Sequence, residues 1–257
     1  MRAKPDANWA KWAERWEAQQ QRFWPRREQR FQIMLDLVEE IVGPEPGRIL
    51  DLACGPGSMS RRVMKRFPGA QLVALDVDPV LMEIGRRALG NGGGRLQWVG
   101  ADLRTPTWPE QIRALAPFDA ALTSSALHWL DAGEIVHVYR VLSELVRPGG
   151  AVLNAEHLMV ARPAGRLAGV AKALRQRIDA GEPFEGETSA AWWEAARAEP
   201  QFAPLFAERD TVFSEGNPRR HVFLTSSFHE EALSNAGFSE AAVVWRFLED
   251  AVVCAIR

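Results

Sequence analysis

The chain has 257 residues, of which 47% are apolar and 25% charged, and its formal net charge at pH 7 is −2. These values are ordinary for a globular protein with an ample core, and they exclude the strongly basic field of a typical nucleic-acid-binding domain. Two cysteines, Cys54 and Cys254, are too few for a disulfide framework, which favours a reducing, cytoplasmic compartment. No apolar run reaches the roughly 18 residues of a membrane helix, and residues 1–21 lack the apolar core of a signal peptide.

The N-terminal segment is predicted to be helical over residues 8–42, with a break at Pro25. Aromatic residues recur there at helical spacing, beginning with Trp9, Trp12 and Trp16. This stripe is interpreted as core packing, or alternatively as a cover over a bound cofactor. Four arginines of the segment are interpreted as a solvated helix face, or alternatively as partners of a substrate carboxylate: Arg22, Arg26, Arg27 and Arg30.

After residue 43, short apolar strands alternate with helices, a rhythm typical of βαβ units in a parallel sheet covered on both faces. Strands are predicted over 48–53, 71–76, 95–99, 119–123 and 151–155, and helices over 58–67, 79–89, 132–146 and 229–235. Two last apolar runs, 241–248 and 251–256, are separated by only Glu249-Asp250. Because that gap is too short for a crossover, these two strands must be antiparallel neighbours.

The predicted fold class is therefore α/β: a Rossmann-like, doubly wound, mostly parallel seven-stranded sheet whose last strand is antiparallel. The parts are a helical cap (1–43), a Rossmann-like core (44–156 and 229–257) and a helical insertion after strand five (157–228). We interpret the insertion as a substrate lid with helices over 164–180 and 188–198 and a loop-rich remainder. Five aromatic residues could line its pocket or form its own small core: Phe184, Trp192, Trp193, Phe202 and Phe206.

The turn after strand one, Ala53-Cys54-Gly55-Pro56-Gly57, is the most informative motif. Glycine lets the backbone approach a ligand closely and adopt positive φ. Asp51 places negative charge beside this turn, which a phosphate would not favour, since anions prefer bare amides at a helix N-terminus. The loop therefore favours a ligand with a cationic part. A NAD site would require a third glycine where Ser60 stands.

Further polar residues follow the next strands, at the sheet edge where open α/β sheets bind ligands. Asp76 ends strand two about 20 residues beyond the glycine turn, where a carboxylate can accept both ribose hydroxyls. Asp102 follows strand three and could meet an adenine amino group. Thr123 and Ser124 end strand four, shortly before His128.

This set resembles the class I S-adenosylmethionine-dependent methyltransferases over about residues 30–155 and 229–257. The resemblance is carried by Ile49-Leu50-Asp51-Leu52-Ala53-Cys54-Gly55-Pro56-Gly57, Val73-Ala74-Leu75-Asp76-Val77-Asp78, Ala101-Asp102-Leu103, Leu127-His128-Trp129-Leu130 and Arg147-Pro148-Gly149-Gly150. It implies S-adenosyl-L-methionine as cofactor, whose ammonium and sulfonium would suit an acidic strand end.

By position, the resemblance implies that Asp51, Ala53, Gly55 and Gly57 surround the methionine part of the cofactor. It places Asp76 on the ribose, Val77 on the adenine, Asp102 and Leu103 at the adenine edge, and Thr123 and Ser124 near the sulfonium.

The acceptor is predicted to be a small molecule with an O, C or N nucleophile. The chain lacks the Asn-Pro-Pro-aromatic tetrapeptide of amino-directed nucleic-acid methyltransferases, and it has no cysteine after strand four for covalent pyrimidine chemistry. His128 is the candidate base, and Glu156 and His157 follow strand five at the same cleft. No residue cluster has metal-ligand spacing. An RNA or protein methyltransferase and a non-catalytic S-adenosylmethionine-binding protein are the alternatives, and the sequence does not predict the oligomeric state.

Overall fold

The computed structural model describes residues 7–24, 26–159, 165–181, 186–214 and 221–257. Seven strands form one sheet in the order β3-β2-β1-β4-β5-β7-β6. The strands are β1 Arg48–Leu52, β2 Gln71–Asp76, β3 Leu96–Gly100, β4 Phe118–Ser124, β5 Val146–His157, β6 Glu240–Phe247 and β7 Asp250–Ile256. The helices of this part of the chain are α1 Ala7–Phe23, α2 Arg27–Val42, α3 Ser58–Arg66, α4 Pro79–Leu89, α5 Ala132–Leu145, α6 Arg166–Gly181, α7 Ser189–Ala198, α8 Ala203–Val212 and α9 Ser226–Ala236.

The predicted sheet is confirmed. Strands β3, β2, β1, β4 and β5 pair in parallel, and β7 runs antiparallel to both β5 and β6. Strand order reverses at β1, so the carboxyl ends of β1 and β4 flank the crevice in which such sheets bind ligands. The residues that follow β1, β2, β3 and β4 therefore converge on one edge.

Both faces of the sheet are buried, as the apolar strands predict. Successive residues of β1 point to opposite faces, so Ile49 packs with α2 and α3 residues such as Met34 and Val63. Leu50 and Leu52 pack in the other layer with residues of α5 and α9, such as Val138. None of the four residues Ile49, Leu50, Leu52 and Val138 has exposed surface. Strand β1 is therefore apolar toward both faces of the sheet because helices cover both faces.

The N-terminal helix and the insertion share a third core on α4. Trp12 of α1 lies edge-on to Trp192 of α7, with ring centroids 5.6 Å apart, and to Phe202, at 5.3 Å. Ile84 of α4 and Phe206 of α8 belong to the same buried cluster. Trp9 and Trp12 of the tryptophan stripe are thus core packing, together with Trp192, Phe202 and Phe206 of the insertion.

The largest differences from the sequence prediction are a helix in the insertion and the start of β5. The loop-rich run of the insertion contains α8, because Pro204 lies in the first turn of that helix, where its missing N–H is harmless. Strand β5 begins at Val146 instead of residue 151, because Val146 already pairs with Phe118 ahead of an irregularity in the register. The predicted break at Pro25 and the aromatic Phe184 lie outside the described residues.

Candidate active site

The glycine turn after β1 has the backbone conformation that the sequence predicts. Ala53, Gly55 and Gly57 have φ values of +57°, +54° and +81°. A Cβ on Gly57 would lie 2.8 Å from Leu89 Cδ1 and from Trp98 Cη2, so this glycine is required by packing against α4 and β3 as well as by its φ. The Gly55 amide donates to Asp76 Oδ2 over 2.7 Å, which ties the turn to the end of β2.

Asp51 is a buried carboxyl below this turn, and it accepts a 2.6 Å hydrogen bond from Ser60 Oγ. Burial raises its pKa to about 7; the hydrogen bond from Ser60 opposes this rise and the charge of Asp76 adds to it. A cation placed beside Asp51 would favour the ionised form. The electrostatics therefore agree with the sequence argument for a cationic ligand.

The carboxylates of the next two strand ends are held by local contacts. Asp76 accepts the Asp78 amide at Oδ1 over 2.8 Å, in addition to its bond with the Gly55 amide. Asp102 forms a two-pronged ion pair with Arg104, in which Nη2 lies 2.7 Å from Oδ2 and Nε 2.9 Å from Oδ1. Both carboxylates are thereby oriented toward the same edge of the sheet.

A cavity of about 530 Å³ lies at this edge, within the usual range for small-molecule sites. Eight of the predicted cofactor residues line it: Asp51, Ala53, Gly55, Asp76, Val77, Asp102, Leu103 and Ser124. Two predicted positions do not. Gly57 lies behind the turn, and Thr123 is buried with its Oγ1 unpartnered, because alternate residues of β4 point to opposite faces and only Ser124 faces the cavity.

The candidate base His128 lies in the cavity wall, in a single 3-10 turn (Leu127–Trp129) after β4. Its Nδ1 is 2.9 Å from both carboxylate oxygens of Glu156 at the end of β5. Glu156 also accepts the backbone amides of His128 and His157, at 3.3 Å and 2.8 Å. Although burial raises the pKa of Glu156, the bond and charge of His128 and the His157 amide lower it overall. The ionised carboxylate only accepts hydrogen bonds, so Nδ1 is the nitrogen of His128 that donates to Glu156.

Glu156 itself does not line the cavity, contrary to the prediction that it points at the cleft. It is 2% exposed and lies behind His128, because the carboxylate is drawn to three N–H donors there. His157 does line the cavity, and its ring lies against Trp24 at an interplanar angle of 35°, with ring centroids 3.7 Å apart. Burial lowers the pKa of His157 to about 4, so its ring is neutral at pH 7.

Two of the four arginines of the N-terminal segment, Arg27 and Arg30, are buried, which contradicts the interpretation of all four as a solvated helix face. Arg27 lines the cavity and forms an ion pair with Glu17 over 2.5 Å. Arg30 is fully buried and donates to Asp250 Oδ1. Arg26 is exposed, and the side chain of Arg22 lies outside the described residues. The sequence signal for this burial is the helical spacing of Arg30 with the apolar residues Met34 and Val38.

The cap and the insertion complete the cavity wall. Helix α1 and the residues up to Phe31 supply Trp16, Gln20, Trp24, Arg27 and Phe31. The insertion supplies Ser189, Trp193, Phe213, His221 and Phe223. Of the aromatic residues predicted for the lid, Trp193 reaches the cavity, whereas Trp192, Phe202 and Phe206 lie in the third core. The aromatic contributions of Trp24, His221 and Phe223 were not predicted, because their place depends on how distant segments fold back.

Residues 49–150 match the model of a methyltransferase domain family. Similar proteins include a trans-aconitate 2-methyltransferase of Streptomyces avermitilis, 34% identical over 112 residues, or 42% of this chain and 38% of that protein. Another is a malonyl-[acyl-carrier protein] O-methyltransferase of Legionella pneumophila, 30% identical over 110 residues, or 42% of this chain and 35% of that protein. The matched segment thus spans well under half the length of these relatives.

A solved structure of an O-methyltransferase family protein from Burkholderia thailandensis shares the fold. The two superpose with a TM-score of 0.56 at 19% identity, over 88% of this chain and 55% of the other. The sheet order and the glycine turn of this chain agree with the match of residues 49–150 to a methyltransferase domain family. Its methyltransferase signature lies in residues 49–150, the segment from β1 to the start of β5.

The site fits the cofactor of this family. The buried Asp51, whose pKa is about 7, gains a counter-charge from a cationic ligand, and the positive φ of Gly55 leaves its backbone accessible at the cavity. Among the described residues, no group of three or more His, Cys, Asp or Glu side chains could hold a metal ion. The same part of the chain contains no helix that is long and apolar enough to cross a membrane.

Proposed function

We propose that this chain transfers a methyl group from S-adenosyl-L-methionine to an oxygen atom of a small molecule. The observation that carries the proposal is the pair of His128 and Glu156, whose Nδ1 and carboxylate oxygens lie 2.9 Å apart at the cavity wall. A neutral imidazole oriented by a carboxylate is a typical general base for removing a hydroxyl proton. The similarity to a malonyl-[acyl-carrier protein] O-methyltransferase and to an O-methyltransferase family protein supports transfer to oxygen.

The cofactor would be held along the carboxyl ends of β1, β2 and β3. Asp51 would face its positive charge, the Gly55 turn would lie against its methionine part, and Asp76 would accept hydrogen bonds from the ribose. Asp102 and Leu103 would border the adenine. When bound, S-adenosylmethionine supplies an electrophilic methyl group on a sulfonium and leaves as a neutral thioether.

The protein's own residues bind, align and deprotonate the acceptor. Alignment of two reactants in a closed cavity contributes up to about 7–11 kcal/mol to lowering the barrier. His128 Nε2 would take the acceptor's proton, and the carboxylate of Glu156 would stabilise the resulting imidazolium through Nδ1–H. Glu156 acts through His128 and is a positioning residue. The cap and insertion side chains in the wall would exclude water from the reacting atoms.

A small acceptor agrees with a cavity of about 530 Å³ that is walled by the cap and the insertion. The net charge of −2 gives no basic field for a nucleic acid. The cytoplasmic location, the absence of nucleic-acid partners and the division into cap, core and lid remain predictions from the sequence.

Calorimetry with S-adenosylmethionine tests the cofactor assignment, and Asp76→Ala should weaken binding by removing the ribose acceptor. Absence of binding would contradict the proposal. Turnover to S-adenosylhomocysteine should then be assayed with metabolite extract and, separately, with total RNA and protein extract. Product with RNA or protein alone would support the macromolecular alternatives, and binding without any product would favour a non-catalytic role.

The base is tested with two variants of the pair. His128→Ala should lower kcat about 10²- to 10⁴-fold, the usual contribution of a positioned base. Glu156→Gln should lower kcat less and leave KM nearly unchanged, since it removes the carboxylate that would stabilise the imidazolium but keeps a side chain of the same shape behind His128. His137→Ala, a histidine of α5 outside the cavity wall, is the matched control. Unchanged turnover in His128→Ala would remove this residue as the base.

A further inference from the structure

Six aromatic rings, one of them the ring of His128, form a continuous surface in the cavity wall. The His128 ring is nearly parallel to His221 (13°, centroids 5.3 Å apart) and to Phe223 (22°, 5.8 Å). Phe223 in turn lies 6.2 Å from His157. The complete set, all of it in the cavity wall, is Trp24, His128, Trp129, His157, His221 and Phe223.

The segment that carries two of these rings is anchored by the backbone. Val222 donates its amide to the His128 carbonyl over 2.7 Å, and the Leu224 carbonyl accepts the Met159 amide over 3.0 Å. Because alternate side chains of an extended segment point the same way, His221 and Phe223 share one side, on which the His128 ring lies. The aromatic surface is therefore built into the fold.

Phe223 is 42% exposed, although it lines the cavity. The other exposed large apolar side chains of the described residues, Leu167, Val170 and Val244, do not line it. An exposed phenylalanine inside a cavity offers apolar surface that a bound ligand would cover. The partner that best matches a ring face is another ring.

The charges of the wall do not favour a carboxylate acceptor. Among the described wall residues, the two arginines, Arg27 and Arg104, are each ion-paired, with Glu17 and with Asp102. His157 is neutral at pH 7, since burial lowers its pKa to about 4. An acceptor carboxylate would meet no uncommitted cation in this part of the wall.

Resting on the O-methyl transfer proposed above, we infer that the acceptor is a planar aromatic hydroxyl compound whose ring packs on the His128–His221–Phe223 surface. Its chemistry suits the base. A phenol has a pKa of about 10, as in tyrosine, and the usual pKa of an imidazole is about 6.5. The pKa of an aliphatic hydroxyl is much higher, so an imidazole removes a phenol proton more easily. The phenol O–H bond breaks, its proton goes to His128 Nε2, and the oxygen forms the new bond to the methyl carbon. The bond from that carbon to sulfur breaks, with its electron pair remaining on sulfur.

Three probes of one carbon skeleton test this inference by calorimetry on the protein saturated with S-adenosylhomocysteine. These are 2-naphthol, its saturated analogue decahydro-2-naphthol, and the carboxylate 2-naphthoate. Stacking predicts that 2-naphthol binds about twofold to tenfold more tightly than the saturated analogue, and 2-naphthoate should bind weakest. The inference is wrong if the saturated analogue or 2-naphthoate binds as tightly as 2-naphthol or more tightly. It is also wrong if none of the three compounds binds.

Variants of Phe223 give the second readout. Phe223→Leu keeps apolar bulk but removes the ring, so it should abolish the preference for 2-naphthol. Val244→Ala, at an exposed apolar position of β6 outside the cavity, should retain that preference. A preference that survives in Phe223→Leu would count against the inference. Failure to bind S-adenosylhomocysteine would instead contradict the proposed function, so the two failures are distinguishable.

Discussion

Arg30 Nη1 donates to Asp250 Oδ1 over 2.9 Å, and this pair joins the N-terminal helix α2 to the first residue of β7. Both side chains are buried, with exposures of 0% and 2%. Arg30 Nη2 also donates to Ser124 and Ser125, the residues that end β4 in the cavity wall. The pair therefore couples helix α2 to residues at the end of β4 that line the cavity.

Removing one partner of this pair should destabilise the fold strongly. Arg30→Met leaves the Asp250 carboxylate buried without its cation, which costs about 3–5 kcal/mol of unfolding free energy. Urea unfolding measures this, with Arg66→Met as control, since the Arg66 pairs are partly exposed and contribute at most about 1 kcal/mol. Arg30→Met with Asp250→Leu should recover part of the loss. An Arg30→Met protein as stable as the Arg66→Met control would contradict the structural role.

Asp51 should make stability fall as pH rises. Its folded pKa is about 7, raised by burial above the unfolded value of about 4, so the folded state binds more protons between these values. The contribution of Asp51 to the unfolding free energy is therefore fully present below about pH 4 and is lost as the pH rises through about 7. The loss is on the order of 4 kcal/mol. Asp51→Asn should remove this contribution, seen as the difference between the two proteins' unfolding free energies across pH 4.5–8. Parallel pH dependence of both proteins would refute the raised pKa.

The same group should make cofactor affinity depend on pH in the opposite direction. A cationic ligand favours ionised Asp51, so binding of S-adenosylmethionine should release a proton and tighten between about pH 5.5 and 7.5, below the titration of an α-amino group. Calorimetry in buffers of different ionisation enthalpy measures the proton release. Asp51→Asn should show neither effect, and proton release that persists in this variant would assign it to another group.

A comparison of alanine variants at Gly57 and Gly94 distinguishes the cost of backbone strain from the cost of a steric clash. Both have positive φ, +81° and +91°, but a Cβ on Gly94 meets nothing within 4 Å, whereas one on Gly57 lies 2.8 Å from Leu89 and Trp98. Gly94→Ala should cost about 1–2 kcal/mol of unfolding free energy from φ alone, and Gly57→Ala about 1–3 kcal/mol more from overpacking. Equal losses in the two variants, measured by chemical denaturation, would show that the packing behind the turn can relax.

Asp78 serves two elements through its two oxygens. Its Oδ1 accepts the Val80 and Leu81 amides at the start of α4, and its Oδ2 accepts Arg209 Nε of α8 over 2.7 Å. Arg209→Met should speed amide hydrogen exchange in residues 203–212 while leaving the start of α4 protected. Asp78→Ala should loosen both and cost about 1 kcal/mol more, since it also removes the helix cap.

Arg197→Met is the matched control for this experiment, because Arg197 pairs with Asp210 in an exposed position on the same part of the insertion. It should leave exchange in α8 nearly unchanged. If Arg209→Met exchanges as slowly as this control, the contact with Asp78 does not hold the insertion on the core.

The predicted elements of the core agreed closely with the structure, since each rests on a local pattern. Strand β2 and helix α4 were placed at their observed bounds, from an apolar run and from Pro79 in a first helical turn. The region of helix α8 was assigned to the loop-rich part of the insertion. Its Pro204 lies in the first turn of the helix, and a proline is as typical of a first helical turn as of a loop. Thr123 and Ser124 were both assigned to the site, but only Ser124 faces the cavity. Successive side chains of a strand point to opposite sides, and the tertiary structure is needed to show which of the two sides borders the cavity.

The sequence by itself determined the fold class, the turn around Gly55 and the acidic residues at the strand ends, because periodicity, glycine and strand termini act over a few residues. Only the tertiary structure decided which distant groups meet. It paired Arg30 with Asp250, placed Glu156 behind His128, and joined α1 to the insertion in one aromatic core. These contacts depend on burial. A charge that is removed from water needs a partner of opposite charge, and the apolar face of a helix packs against whichever element the fold brings to it.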